Sequence, residues 1–192
     1  EMKKDIILSG VGGQGILSIA TIIGDAATRA GLHLKQAEVH GMSQRGGEVE
    51  SCLRLSDTEI FSDLVPQGCA DMILSMEPME ALRYLPFLHE GGYVVTSSSP
   101  FRNIDPYPEV QVLDALGALD RVIALDLDRI TREHAIPKSA NVVLLGAAAS
   151  RIGILSPEQI EEGIRNIFAP KGAQVVEMNL KAFEIGREYG RQ

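Results

Sequence analysis

Short apolar runs closed by glycine or polar residues alternate along the chain with longer stretches of helical periodicity. Asp5–Ser9 is the first such run, and its unbroken apolar character predicts a strand covered on both faces. From Ile16 to Ala30 the residues Ile16, Ile19, Ala20, Ile23, Ala26, Ala27 and Ala30 recur at helical spacing, and Gly31 supplies a stop. Leu32–Val39 predicts a second strand, followed by a polar, glycine-rich loop from His40 to Gly47. Glu48–Leu55 alternates apolar and polar residues; with Glu59–Ser62 returning after the Ser56-Asp57 turn it predicts a β-hairpin. Met72–Ser75, Tyr93–Thr96, Val110–Leu113 and Val122–Leu125 predict further strands. Pro78 opens a helix running to about Tyr84, and Ser97–Pro108 is a surface loop. Asn141–Ile152 is small and apolar, a helix that must be buried. Ser156-Pro157-Glu158 starts the next helix with an N-cap and a first-turn proline, and Asn179–Tyr189 is a final amphipathic helix. This alternation predicts the α/β class. The architecture is a single Rossmann-like, doubly wound, mostly parallel sheet with a β-hairpin inserted after the second strand, one domain over residues 1–192.

Composition narrows the partners. With 18 Lys and Arg against 26 Asp and Glu, the net charge is −8, which disfavours nucleic acid and anionic membrane as main partners. The longest apolar stretch, Val142–Ala149, is less than half a bilayer span. The amino end lacks a basic-then-apolar leader, so a cytoplasmic, reduced setting is expected. Two cysteines, Cys52 and Cys69, read as small core residues; they cannot make an all-protein cluster or zinc site, and no metal site is expected. The histidines His33, His40, His89 and His134 are scattered.

The chemistry concentrates in two loops. Gly10-Val11-Gly12-Gly13-Gln14-Gly15 fits G-x-G-x-x-G between a predicted strand and a predicted helix. There Gly10 allows the turn, Gly12 admits a ligand to the backbone, Gly15 lets strand and helix pack, and the helix N-terminus attracts an anion. Glu38 stands where a dinucleotide enzyme places its ribose-binding carboxylate, but the loop after it offers Ser43, Gln44, Arg45 and Gly46 instead. His40 is a possible proton shuttle or a plain hydrogen-bonding residue. Asn141 reads first as a helix cap, Ser97-Ser98-Ser99 as loop, and the Asp126/Asp128 and Glu161/Glu162 pairs as solvated or capping carboxylates. No nucleophile–base–orienter set can be assembled, so the catalytic residues stay unknown.

GVGGQGI (10–16), AEVHGMSQRGG (37–47), NVVLLGA (141–147) and NLKAFEIG (179–186) together resemble the γ-type subunits of 2-oxoacid:ferredoxin oxidoreductases. The long H-G-M-S-Q-R-G-G form is similar to that of indolepyruvate oxidoreductase β subunits, and the resemblance runs from about Asp5 to Gly186. It implies a small subunit, inactive alone, of a complex that oxidatively decarboxylates aryl pyruvates with coenzyme A to acyl-CoA, carbon dioxide and reduced ferredoxin. It implies further that thiamine diphosphate and iron–sulfur clusters sit on a larger α subunit, with ferredoxin reached through the complex and nothing permanently bound here. Coenzyme A contacts would be shared, falling on Gly10, Gly12, Gly13, Gln14, Gly15, Ser43, Gln44, Arg45, Gly46 and Asn141. From the residues alone two other readings stand: a self-sufficient nicotinamide or flavin oxidoreductase, and a nonenzymatic ligand-sensing module.

Overall fold

The computed structural model describes residues 1–41 and 46–192, apart from the side chain of His40. Among the described residues six strands form one sheet: β1 (Lys3–Val11), β2 (His33–His40), β3 (Glu48–Ser56), β4 (Ala70–Ser75), β5 (Leu88–Ser97) and β6 (Val122–Leu125), in the order β2-β3-β1-β4-β5-β6. β1, β4, β5 and β6 run parallel, while β3 is antiparallel to both of its neighbours. Among the described residues seven α-helices flank the sheet: α1 (Ile16–Arg29), α2 (Pro78–Arg83), α3 (Glu109–Gly117), α4 (Leu127–Glu133), α5 (Ala140–Ile152), α6 (Pro157–Phe168) and α7 (Ala173–Gly190).

Side-chain alternation explains why the central strands read as unbroken apolar runs. Ile6, Leu8, Met72 and Leu74 point into the larger core under α1, α5 and α6. Ile7 and Ile73 point the opposite way, with Ala81 and Tyr84 of the α2 side. Both faces are covered, so consecutive residues at the middle of such a strand, Ile6–Leu8 and Met72–Leu74, are apolar. α1 ends as its periodicity predicts: Gly31 takes φ 73°, and the N–H of Leu32 reaches back to Ala27 O at 3.0 Å. Ser156 caps α6 in a reciprocal capping box with Gln159, an arrangement worth about 1 kcal/mol.

α5 is buried almost throughout, and its packing on α7 is backbone against backbone. A Cβ at Gly146 would strike Phe183 O, one at Gly186 would strike Val143 O, and one at Gly190 would strike Ala147 O. Three glycines thus let two helices meet with no side chains between them, which accounts for part of the NLKAFEIG segment.

The structure differs from expectation in four places. The antiparallel hairpin is made by β2 and β3; residues 59–62 form no strand. Val110–Leu113 lies within α3, because Val112 and Leu116, four apart, are the buried pair while Val110 is 69% exposed. α4, capped by Asp126, is an element its charged sequence did not signal. Cys52 is buried as expected, but Cys69 is exposed. Among the described residues no helix is long and apolar enough to cross a membrane.

Candidate functional site

The glycine turn begins later than its first glycine. Gly10 is still in β1, paired with Val49, and needs no unusual backbone. Its value is room: a Cβ there would lie 2.9 Å from Gln14 Oε1 and 3.0 Å from Ile16 Cγ1. The turn itself uses Gly13 at φ 95° and Gly15 at φ 85°, both in the left-handed region that favours glycine. Gly15 is the N-cap of α1; it offers no side-chain cap, and the first turn holds no acidic residue. Among the described residues no side chain caps the first N–H groups of α1, which carry the positive end of the helix dipole. They open on a pocket of about 360 Å³ lined by Val11, Gly12, Gly13, Gly15, Ile16, Leu17, Ser18 and Val49.

Three segments hold this turn in place. Gln14 folds inward: its Oε1 accepts from the Val11 N–H at 2.7 Å, and its Nε2 donates to Met76 O at 3.3 Å, tying the turn to the end of β4. Asn141 is not the cap of α5, a place taken by Ser139. It reaches across to donate from Nδ2 to Gly15 O at 3.1 Å, and a Cβ on Gly15 would stand 2.5 Å from that nitrogen. Gly12 donates its N–H to Gly47 O at 2.8 Å, so the end of the second loop lies against the first, as their strand ends predict. That bond occupies the very N–H that a close-approaching ligand would use at Gly12. Ser43, Gln44 and Arg45 lie outside the described residues, and Gly46 is a turn residue at φ 79°.

Glu38 is displaced from the place a ribose partner needs. It is level with Ser51 of β3, which is level with Leu8 of β1, so a whole strand separates it from β1. Two strand spacings are about 10 Å, and Glu38 is engaged by Gln36 Nε2 at 2.6 Å. β3 has taken the position next to β1 that a dinucleotide fold gives its second strand.

Beside the turn is a buried polar cluster that the sequence did not announce. Glu77, fully buried, is the N-cap of α2, its carboxylate accepting from the Glu80 N–H at 2.8 Å. The same carboxylate accepts from the Tyr107 hydroxyl. Ser9 donates to Ser75 Oγ at 2.8 Å, and Ser75 donates to Glu77 O at 2.8 Å. Arg83 closes the outer side, with Glu80 at 2.8 Å and Glu48 at 3.2 Å. Burial pushes the Glu77 carboxyl above its ordinary 4.5, against the lowering pull of its hydrogen bonds from Tyr107 and the Glu80 N–H. Burial and the neighbouring Glu77 raise the Tyr107 hydroxyl. Burial likewise lifts the Cys52 thiol to about 11, which leaves it a neutral core group. The one signal in the sequence was Glu77-Pro78, an acceptor ahead of a first-turn proline.

With this geometry in view, comparison with known proteins places the chain among relatives. The sequence matches the pyruvate ferredoxin/flavodoxin oxidoreductase family over residues 5–189. It is 40% identical to an indolepyruvate oxidoreductase subunit IorB of Thermococcus kodakarensis, an alignment covering 96% of this chain and 95% of that one. The fold matches the γ subunit of a keto/oxoacid ferredoxin oxidoreductase from Geobacter sulfurreducens, with a TM-score of 0.70, 25% identity and 98% of each chain covered. It also matches a 2-oxoglutarate:ferredoxin oxidoreductase from Magnetococcus marinus with 2-oxoglutarate, coenzyme A and succinyl-CoA bound. There the TM-score is 0.78 and the identity 22%, and all of this chain corresponds to 31% of that one.

Proposed function

Because the chain belongs to the pyruvate ferredoxin/flavodoxin oxidoreductase family, we propose that it is the small subunit of an indolepyruvate-type complex and forms one wall of its coenzyme A site. The complex oxidatively decarboxylates an aryl pyruvate with coenzyme A, giving acyl-CoA, carbon dioxide and reduced ferredoxin. Thiamine diphosphate and iron–sulfur clusters, on a larger partner subunit, supply the carbon–carbon cleavage and the electron path. Two cysteines, one buried in the sheet and one exposed, cannot supply a four-cysteine cluster from this chain.

The observation that carries this chain's part is the uncapped N-terminus of α1 opening on the glycine-lined pocket. Uncapped N–H groups and a helix dipole suit a phosphate-bearing ligand. The pocket is at the small end of ligand-site volumes, as one wall of a site completed by another chain would be. Gly12, Gly13 and Gly15 line it; Gly10, Gln14 and Asn141 support it from behind; Ser43, Gln44, Arg45 and Gly46 are proposed contacts from the second loop. Phe101 and Ile104, 43% and 47% exposed on the loop between β5 and α3, offer apolar surface to the partner. The nicotinamide or flavin reading loses support from the displacement of Glu38.

Thermal unfolding of the assembled complex with coenzyme A, NAD(H), NADP(H) or FAD tests the proposal. A ligand that binds only the folded state raises the melting temperature; at a hundredfold excess over Kd it contributes about 2.7 kcal/mol. The expected result is a shift with coenzyme A alone. A shift with a dinucleotide and none with coenzyme A would overturn it, as would full 2-oxoacid oxidation by the isolated chain.

A further inference from the structure

The loop from Ser98 to Pro108 has no strand or helix of its own, yet it is tied down at two points. At Tyr107 its hydroxyl is bonded to a buried carboxylate, that of Glu77 at the N-cap of α2. Four positions earlier, Asn103 Nδ2 donates to Gly46 O at 2.9 Å. Gly46 is next to Gly47, whose carbonyl takes the Gly12 N–H. On the other side, Glu77 follows Met76, whose carbonyl holds Gln14 of the turn. The loop therefore bridges two supports that reach the same glycine turn from opposite sides.

Capping explains only part of Glu77. Serine, threonine, asparagine or aspartate would satisfy the Glu80 N–H from a shorter side chain. A glutamate reaches further, and its second oxygen is spent on a residue thirty positions away. A fully buried carboxylate is costly unless its lone pairs are used, and here the donors come from both α2 and the loop.

We propose that Glu77 and Tyr107 are positioning residues for the ligand of the glycine turn. The Glu77 carboxylate pins the 98–108 loop through Tyr107, and the pinned loop, through Asn103, braces the Gly46-Gly47 segment that accepts the Gly12 N–H. This rests on the coenzyme A reading above. Neither side chain lines the pocket, so their effect on the ligand travels through the loop.

The test uses the assembled complex carrying Tyr107→Phe, which keeps the ring and removes the hydroxyl, and separately Asn103→Ala, which cuts the second tie. Three quantities are read: hydrogen exchange of amides 98–108, protection of amides 12–18 by added coenzyme A, and the KM for coenzyme A against kcat. Tyr107→Phe is expected to speed exchange across 98–108 and to raise the KM about tenfold, the value of one hydrogen bond to a charged group. Asn103→Ala, losing an exposed neutral bond, should raise it about threefold. The loss should fall on KM rather than kcat, which a general loss of folded protein would not produce. If exchange over 98–108 is unchanged, or rises while the KM stays put, the inference is overturned and the coenzyme A site stands. If coenzyme A fails to protect amides 12–18 even in the unaltered complex, the site reading falls and takes the inference with it.

Discussion

Two regions of this protein depend on glycine, for opposite reasons. In the α5–α7 seam, Gly146, Gly186 and Gly190 have ordinary helical backbones and are glycine because a carbonyl of the facing helix occupies the space of a Cβ. In the β1–α1 turn, Gly13 has nothing within 4 Å of where its Cβ would be, and is glycine because of its φ of 95°. The first kind builds the core and tolerates no side chain at all. The second leaves empty space above the backbone, as a surface that receives a ligand must. A glycine-rich sequence does not distinguish them; the packing partner does.

Gly186→Ala should break the seam side most severely. Overpacking against backbone leaves only helix separation as relief, and about 3 kcal/mol of stability should go. Urea unfolding checks this, and a loss below about 1 kcal/mol would mean the helices are not held so close. Gly15→Ala combines both kinds of glycine, with a φ of 85° and Asn141 Nδ2 in the way, and should cost about 2 kcal/mol. Repeating it in an Asn141→Ala background separates the terms, since only the backbone strain of about 1–2 kcal/mol should remain. Gly13→Ala meets that strain alone. Its stability loss should be the smallest of the three, while coenzyme A affinity measured by calorimetry falls by more than stability does. Equal affinity would remove Gly13 from the site.

The last distinction is electrostatic, because the site region holds a buried titrating group and the seam does not depend on one. Glu77 carries a raised carboxyl in the folded state, so the fold binds a proton more tightly than the unfolded chain. Its contribution to stability is full below about 4.5 and is lost as pH rises through the raised folded value. Glu77→Gln should flatten that part of the stability–pH curve, followed by urea unfolding at a series of pH values; Gly186→Ala should lower the whole curve without changing its slope there. An unchanged slope in Glu77→Gln would show that the carboxyl does not titrate in that window.

The same contrast explains what the sequence made legible. Buried parallel strands announce themselves because both faces of β1 and β4 are covered, and α1 and α6 carry their caps and stops in their own residues. Val110–Leu113 misleads because two valines at alternate positions imitate a strand, while the pair that packs, Val112 and Leu116, is spaced for a helix. The hairpin was expected one strand late because the turn signal at Ser56-Asp57 is local, whereas the pairing of β3 with β1 and β2 is not. At the site, the motif located the turn but assigned it to Gly10, whereas Gly13 and Gly15 carry the left-handed backbone. It could not give Gly10, Gln14 or Asn141 their supporting roles, which depend on residues up to 126 positions away. Glu77 and Tyr107 were invisible for the same reason, being joined only by the fold.

The antiparallel placement of β3 has a practical consequence for redesign. Val49, Leu53 and Leu55 all face the larger core, so a slip of one residue would turn that whole row toward the other face. Register is therefore held by the sheet, and the connection from β2 to β3 is free of that duty. Redesign of β3 must therefore keep that row apolar and the Gly47 carbonyl in place for the Gly12 N–H.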